Sequence, residues 1–255
     1  MWHYAKIVVV SYLMVLLVAC FDRKFDVGFW KELLRSSILS LLQLVTVGFV
    51  ILFLLKLKLN WVNFAIVLLF FVNASVISTR RFEFKGYPRK WGFFITFLSI
   101  SVMSVVSLGL LYVSGILHFK ANSLIPLAGI VTAAGMRSLS LSYKYLKTKL
   151  RDLEEVILGM AALGASDAQV FHFIFRELIN DITVPIRDML RSAGIVHIPG
   201  VMVGLLLAGT IPIKAALVQF AVLSTMVFQF TFVPTIALFT LVKKFGVKIE
   251  SGGVN

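Results

Sequence analysis

Seven apolar runs, separated by short charged patches, set the pattern of this chain: residues 4–21, 38–55, 61–78, 91–117, 124–143, 194–209 and 216–242. A soluble amphipathic helix carries a polar stripe at its 3.6-residue period, and these runs carry none. About 20 helical residues cross ~30 Å of hydrocarbon, so the 194–209 run is marginal, while the longest can tilt or contain a break. The pattern predicts an all-α fold: a polytopic transmembrane helical bundle of about seven spans, one domain over residues 1–255.

The basic residues fix an orientation. One set of connections holds Arg23, Lys24, Lys31 and Arg35, then Arg80, Arg81, Lys85, Arg89 and Lys90, then seven between Lys144 and Arg191, then Lys243, Lys244 and Lys248. The alternate set holds Lys56, Lys58, Lys120 and Lys214. This asymmetry places the N-terminus outside and the C-terminus inside, and it fits an odd number of spans. Leu17-Val18-Ala19-Cys20 also fits a short lipoprotein processing site, but processing needs Cys20 on the outer side and the charge count puts it at the inner end. Met1 to Ala19 is therefore expected to stay attached.

Composition agrees with this reading. The chain is 59% hydrophobic and 15% charged, with a mean hydropathy of +0.95, so lipid must be the solvent for most of it. Its net charge of +13 does not signal nucleic acid, because the basic residues sit between apolar runs and not on one face or tail. One cysteine excludes an internal disulfide and a cysteine-rich metal or redox site. No phosphate-binding loop, zinc-protease motif or nucleophile elbow occurs, so the chain is not expected to be an enzyme, to bind a cofactor or to hydrolyse ATP unaided.

One connection is long: about residues 144–193, on the cytoplasmic side by the charge count. Tyr145, Leu146, Leu150, Leu153 and Ile157 recur at steps of three or four between charged residues, which predicts a helix continuing from the fifth span through about Met160. Gly164 then permits a tight turn, and Ser166 or Asp167 can cap a second helix over about 168–179. Helix, turn, helix is the expectation.

Polar side chains inside apolar runs are candidates for a pathway because they are costly in hydrocarbon. Gln43, Asn73, Arg137, His197, Gln219 and Gln229 qualify, with Asp188 just before the sixth run. Gln43, Asn73 and Gln229 can equally bond neighbouring helices, and Arg137 can snorkel to headgroups. His197, Met202 and Asp188 offer nitrogen, sulfur and oxygen to a metal in transit, although a lone membrane histidine is more often a buried hydrogen-bonding group. Pro199 should kink or break the sixth helix, and Gly200 and Gly204 form a GxxxG step suited to close helix approach. Broken helices line pathways in transporters, which makes this segment the preferred conduit wall.

Glu154-Glu155, Ala161-Ala162 and Leu163-Gly164-Ala165-Ser166 resemble the coupling loop of ABC permeases. Gln43-Leu44 with Gly48, Asn73-Ala74, Ile125-Pro126-Leu127-Ala128-Gly129, Pro185 with Asp188, the run from Gly194 to Gly204, and Ala208-Gly209 through Pro212 to Gln219 narrow the resemblance to the FetB/YbbM-type permease family. That family includes a bacterial iron exporter and plant aluminium-tolerance proteins. The likeness covers nearly the whole chain. It implies a permease subunit of an ABC transporter in the plasma (inner) membrane, exporting an iron-like metal ion as a homodimer. ATP and Mg would be bound by a separate soluble ATPase docking at Glu154, Glu155, Ala161, Ala162, Gly164, Ala165 and Ser166. Two positions depart from the family's pattern, Ala133-Ala134 and Leu39, which bears on cargo but not on fold. A stand-alone channel or ion-gradient transporter is the alternative reading.

Overall fold

The structure is a computed structural model that describes residues 2–57, 60–82 and 88–246. Lys58, Lys85 and Lys248 from the charge count, and the termini Met1 and Asn255 of the orientation, lie outside the described residues. The helices are α1 (Trp2–Lys24), α2 (Trp30–Leu57), α3 (Asn60–Thr79), α4 (Arg89–Val113), α5 (Ala121–Asp152), α6 (Glu154–Ala162), α7 (Asp167–Ser192), α8 (Gly200–Leu207) and α9 (Pro212–Phe245). Among the described residues there is no strand, only an isolated bridge between Ala193 and His197.

The chain divides into two units, residues 1–59 and 60–255. The first is the α1–α2 hairpin. Its turn is held by Asp22, a buried carboxylate that accepts from the Phe29 and Trp30 amides at 3.3 and 2.7 Å. Those amides open α2, where helix N–H groups lack partners, so Asp22 serves as a remote N-terminal cap. α1 runs unbroken through Cys20, which is exposed.

The second unit packs α3, α4, α5, α7 and α9 around Ile100, Val131, Leu139, Ile174, Leu178, Ile182, Val233 and Leu238, all fully buried. Its surface is inverted relative to a soluble protein. On α4 the buried side includes Thr96, Ser99, Ser104 and Ser107, whereas Phe94, Leu98, Val102, Val105 and Leu110 face outward. Apolar groups stay exposed where the solvent is hydrocarbon, and small hydroxyls inside let helices approach closely.

Among the described residues six helices are long and apolar enough to cross a membrane: α1, α2, α3, α4, α5 and α9. The expectation of an apolar helix over residues 194–209 is corrected. That segment is a turn followed by the eight-residue α8, about 12 Å long at 1.5 Å per residue, too short to cross. Gly194 adopts φ +82° and Pro199 sits at the N-cap of α8, so the backbone breaks at both. α7 is instead longer than the expected 168–179, continuing through Pro185 to Ser192.

α7 and α8 together accompany α9 in antiparallel fashion. Phe171 and Phe175, near the start of α7, stack edge-on against Phe239 with centroids at 4.9 and 5.2 Å. Met189, near the end of α7, shares a cavity with Met226 and Phe230. The Met202 amide of α8 donates to Gln219. The chain therefore travels alongside α9 back to its N-terminal end as two consecutive pieces joined by a turn.

Candidate functional site

Three places carry the residues singled out from the sequence. The first is the α6–α7 turn. α5 ends at Asp152 and α6 begins at Glu154, a break inside what the pattern predicted as one helix to Met160. Lys149 and Arg151 stand in the last turn of α5, which Asp152 ends, and Glu154 and Glu155 in the first turn of α6, where their sign suits the helix N-terminus. Ala161 and Ala162 close α6, and Gly164 takes φ +86°, a left-handed conformation that only glycine adopts without strain. Ser166 then caps α7 in a reciprocal capping box with Gln169, whose Oε1 accepts from the Ser166 amide at 2.8 Å. The turn is thus rigidly specified, and it carries Leu163, 91% exposed. Val156 and Leu158 on α6 are exposed too, so an apolar edge accompanies the small residues.

The second place is the segment from Asp188 to Gln219. His197 is exposed, its Nδ1 lying 3.2 Å from the Ser192 hydroxyl. Asp188 lies 3.7 Å from Arg191 at the surface. Met202 is held through its backbone, donating at 3.1 Å to Oε1 of the buried Gln219. Since Pro199 offers α8 no side-chain cap, Gln219 supplies the acceptor that an orphan first-turn amide requires. Each of the three proposed metal ligands thus has its own local contact, and among the described residues no group of three or more His, Cys, Asp or Glu could hold an ion. Among the described residues, a Cβ on Gly200 or Gly204 would meet nothing within 4 Å, so this edge of the GxxxG step is open.

The third place is a polar layer inside the bundle. Gln229 on α9 is fully buried and donates through Nε2 to the Ser107 hydroxyl of α4 at 2.9 Å. The Ser138 hydroxyl of α5 donates to the Gln229 carbonyl at 3.4 Å. This is the helix-bonding role open to a membrane glutamine. Gln43 on α2 and Asn73 on α3 both face outward. Ala134 is buried and Leu39 exposed, so the two departures from the family pattern occupy different settings.

Sequence reasoning missed a cavity of about 410 Å³ bounded by α3, α5, α7 and α9, with Arg81 and Arg137 among its lining. Arg137 was noticed as a membrane cation. Nothing in the sequence indicates that Met136, Met189 and Met226 would join it, because they lie on three different helices.

The sequence matches one known family along nearly all its length. The family described as "Uncharacterised protein family (UPF0014)" matches residues 6–245. The chain belongs to the UPF0014 family. It is similar to "Probable iron export permease protein FetB" of Escherichia coli (strain K12), with 27% identity over 217 residues, 84% of this chain and 82% of that protein. It is also similar to "Protein ALUMINUM SENSITIVE 3" of Arabidopsis thaliana, 25% identical over 84% of this chain and 77% of that one. A third relative, "UPF0014 membrane protein YjkA" of Bacillus subtilis (strain 168), is 24% identical over 83% of each. No solved structure matches. With six apolar helices and relatives named membrane proteins, this UPF0014 member is a multi-pass membrane protein.

Proposed function

We propose that this UPF0014 member is the permease subunit of an ATP-driven exporter of a metal ion, working with a separate soluble ATPase. The observation that carries the reading is the α6–α7 turn, in which a left-handed Gly164, a capping box at Ser166 and the exposed Leu163 present a small, rigid, apolar knob. A knob of that kind suits a groove on a partner, with Glu154, Glu155 and Asp167 available to orient the docking. The cargo class and direction come from the relative named a probable iron export permease.

In this reading the N-terminus is outside and the α6–α7 turn lies in the cytoplasm. ATP and Mg bind the ATPase, whose closure moves the turn and, through α7, the bundle. A second copy is expected, since among the described residues nothing lies within 4 Å of a Cβ at Gly200 or Gly204 on α8. The break between α7 and α8, with His197, Pro199 and Met202 beside it, is the part of the wall best suited to move.

The test is to express the chain with and without its ATPase and measure metal efflux from cells and ATPase recovery on pull-down. Efflux that requires the ATPase and its bound nucleotide supports the proposal. Efflux by the chain alone, indifferent to nucleotide, would replace it with a stand-alone channel.

A further inference from the structure

α7 has two sides along most of its length. Ile174, Leu178, Ile182 and Ile186 are buried in the bundle. Glu177, Asp181, Val184, Asp188 and Arg191, at steps of three and four, share another side and are exposed. The level of the helix gives this pattern its meaning. Pro185, Ile186 and Met189 line one cavity with Met226 and Phe230 of α9 and Met136 of α5. Met226 lies about 21 Å along α9 from Pro212 and about 26 Å from Lys243, at 1.5 Å per residue. Met136 falls inside the apolar run 124–143 of α5. Asp188 and Arg191 therefore carry charge at a depth where α5 and α9 are crossing hydrocarbon.

Their pairing is loose: the groups lie 3.7 Å apart, with side chains 65% and 78% exposed. A charged side chain facing lipid at that depth is costly, and an exposed pair of this kind does little to offset it, so this side of α7 must look on water. The charged side also has an end. Toward the α6–α7 turn it continues through Asp181 and Glu177, which lie 3.6 and 2.8 Å from Lys149 near the end of α5. Past Arg191 the exposed side chains, His197 apart, turn apolar, with Ile195, Val196 and Ile198 followed by Val203 and Leu207 of α8. We propose that this side of α7 is the wall of a water-filled vestibule, open at the level of the α6–α7 turn and ending near Arg191. That the vestibule belongs to a transport path rests on the transport reading; its water does not.

Single-cysteine variants of the full chain in membrane vesicles, with Cys20→Ser as background, test it. The probes are a small cationic methanethiosulfonate and a bulky polyethylene-glycol maleimide, applied from the side at which Thr148→Cys, an exposed position near the end of α5, reacts. The small reagent should modify Val184→Cys and Arg191→Cys at least about tenfold faster than Val105→Cys, because a cation is excluded from hydrocarbon. Val105 is exposed on α4 two residues from Ser107, the partner of Gln229. Val184→Cys removes no charge and fills an exposed position, so the bundle stays intact. The bulky reagent should modify Thr148→Cys and spare Val184→Cys. Rates at Val184→Cys and Arg191→Cys no faster than at Val105→Cys would set this side of α7 against lipid or a dry partner and overturn the proposal. So would bulky-reagent modification of Val184→Cys as fast as that of Thr148→Cys, which would put α7 outside the membrane. No ATPase, nucleotide or metal is present, so failure of the transport reading would appear in the efflux measurement and leave these rates unchanged.

Discussion

Gly135 on α5 and Gln229 on α9 meet so closely that a Cβ on the glycine would lie 2.9 Å from the glutamine Oε1 and 3.3 Å from Cγ2 of Val233. The glycine is therefore what allows the buried amide to sit between α5 and α4 and reach Ser107. Overpacking a closed core costs about 1–3 kcal/mol. Gly135→Leu should lower the unfolding temperature in detergent by several degrees, while Gly109→Leu, whose Cβ meets nothing within 4 Å, should leave it near the wild-type value. Equal effects of the two would show that the α5–α9 approach is looser than described.

Gly164→Arg tests the coupling turn. No atom lies within 4 Å of a Cβ at this position, so the penalty is the positive φ alone, about 1–2 kcal/mol and local to the turn. The variant should insert and fold, recover several-fold less ATPase on pull-down and lose nucleotide-driven efflux. Leu163→Asp should do the same without backbone strain. Undiminished ATPase recovery with both would remove the coupling role.

Gln219→Leu removes the acceptor for the Met202 amide. An unpaired donor costs about 1–3 kcal/mol when fully buried and less here, where the bond is part-buried, but α8 has only eight residues and none of them buried. Faster hydrogen exchange across 200–207, with α9 unchanged, is the expected readout. Unaltered exchange would mean that α8 is held by something other than this bond.

Gly200→Leu and Gly204→Leu should leave thermal stability within about 0.5 kcal/mol of wild type, because both side chains project into open space. Efflux and cross-linking between copies should fall if this face meets a second copy. Normal efflux and normal cross-linking in both variants would free α8 from that role.

Orientation has a direct check. A C-terminal tag should be unreachable by an impermeant reagent in intact cells; labelling there would reverse the topology and move the α6–α7 turn outside.

The helix–turn–helix was legible because its punctuation is local: Gly164 demands a left-handed turn and Ser166 with Gln169 forms a cap. The end of α7 was not, since Asn180, Asp181, Thr183 and Pro185 all argue against helix by themselves. There, burial of Ile182 and Ile186 against the bundle overrides propensity. The 194–209 run was misread for the opposite reason. Ile195, Val196, Ile198 and the leucines of α8 raise hydropathy enough to suggest a span, but the expected break at Pro199 is joined by one at Gly194, which leaves only eight helical residues. The cavity was out of reach because only packing brings Arg81, Met136, Met189 and Met226 together from four helices.

The divided path of α7 and α8 beside α9 bears on biogenesis. Each of the six apolar helices has the length and apolar composition to partition into lipid by itself. α7 does not, because Arg176, Glu177, Asp181, Arg187, Asp188 and Arg191 interrupt it, and α8 is too short. Both must wait for α9, which follows them in the chain, to supply Gln219, Phe239 and the core wall. Docking of this stretch is then a folding step whose timing is set by the synthesis of α9.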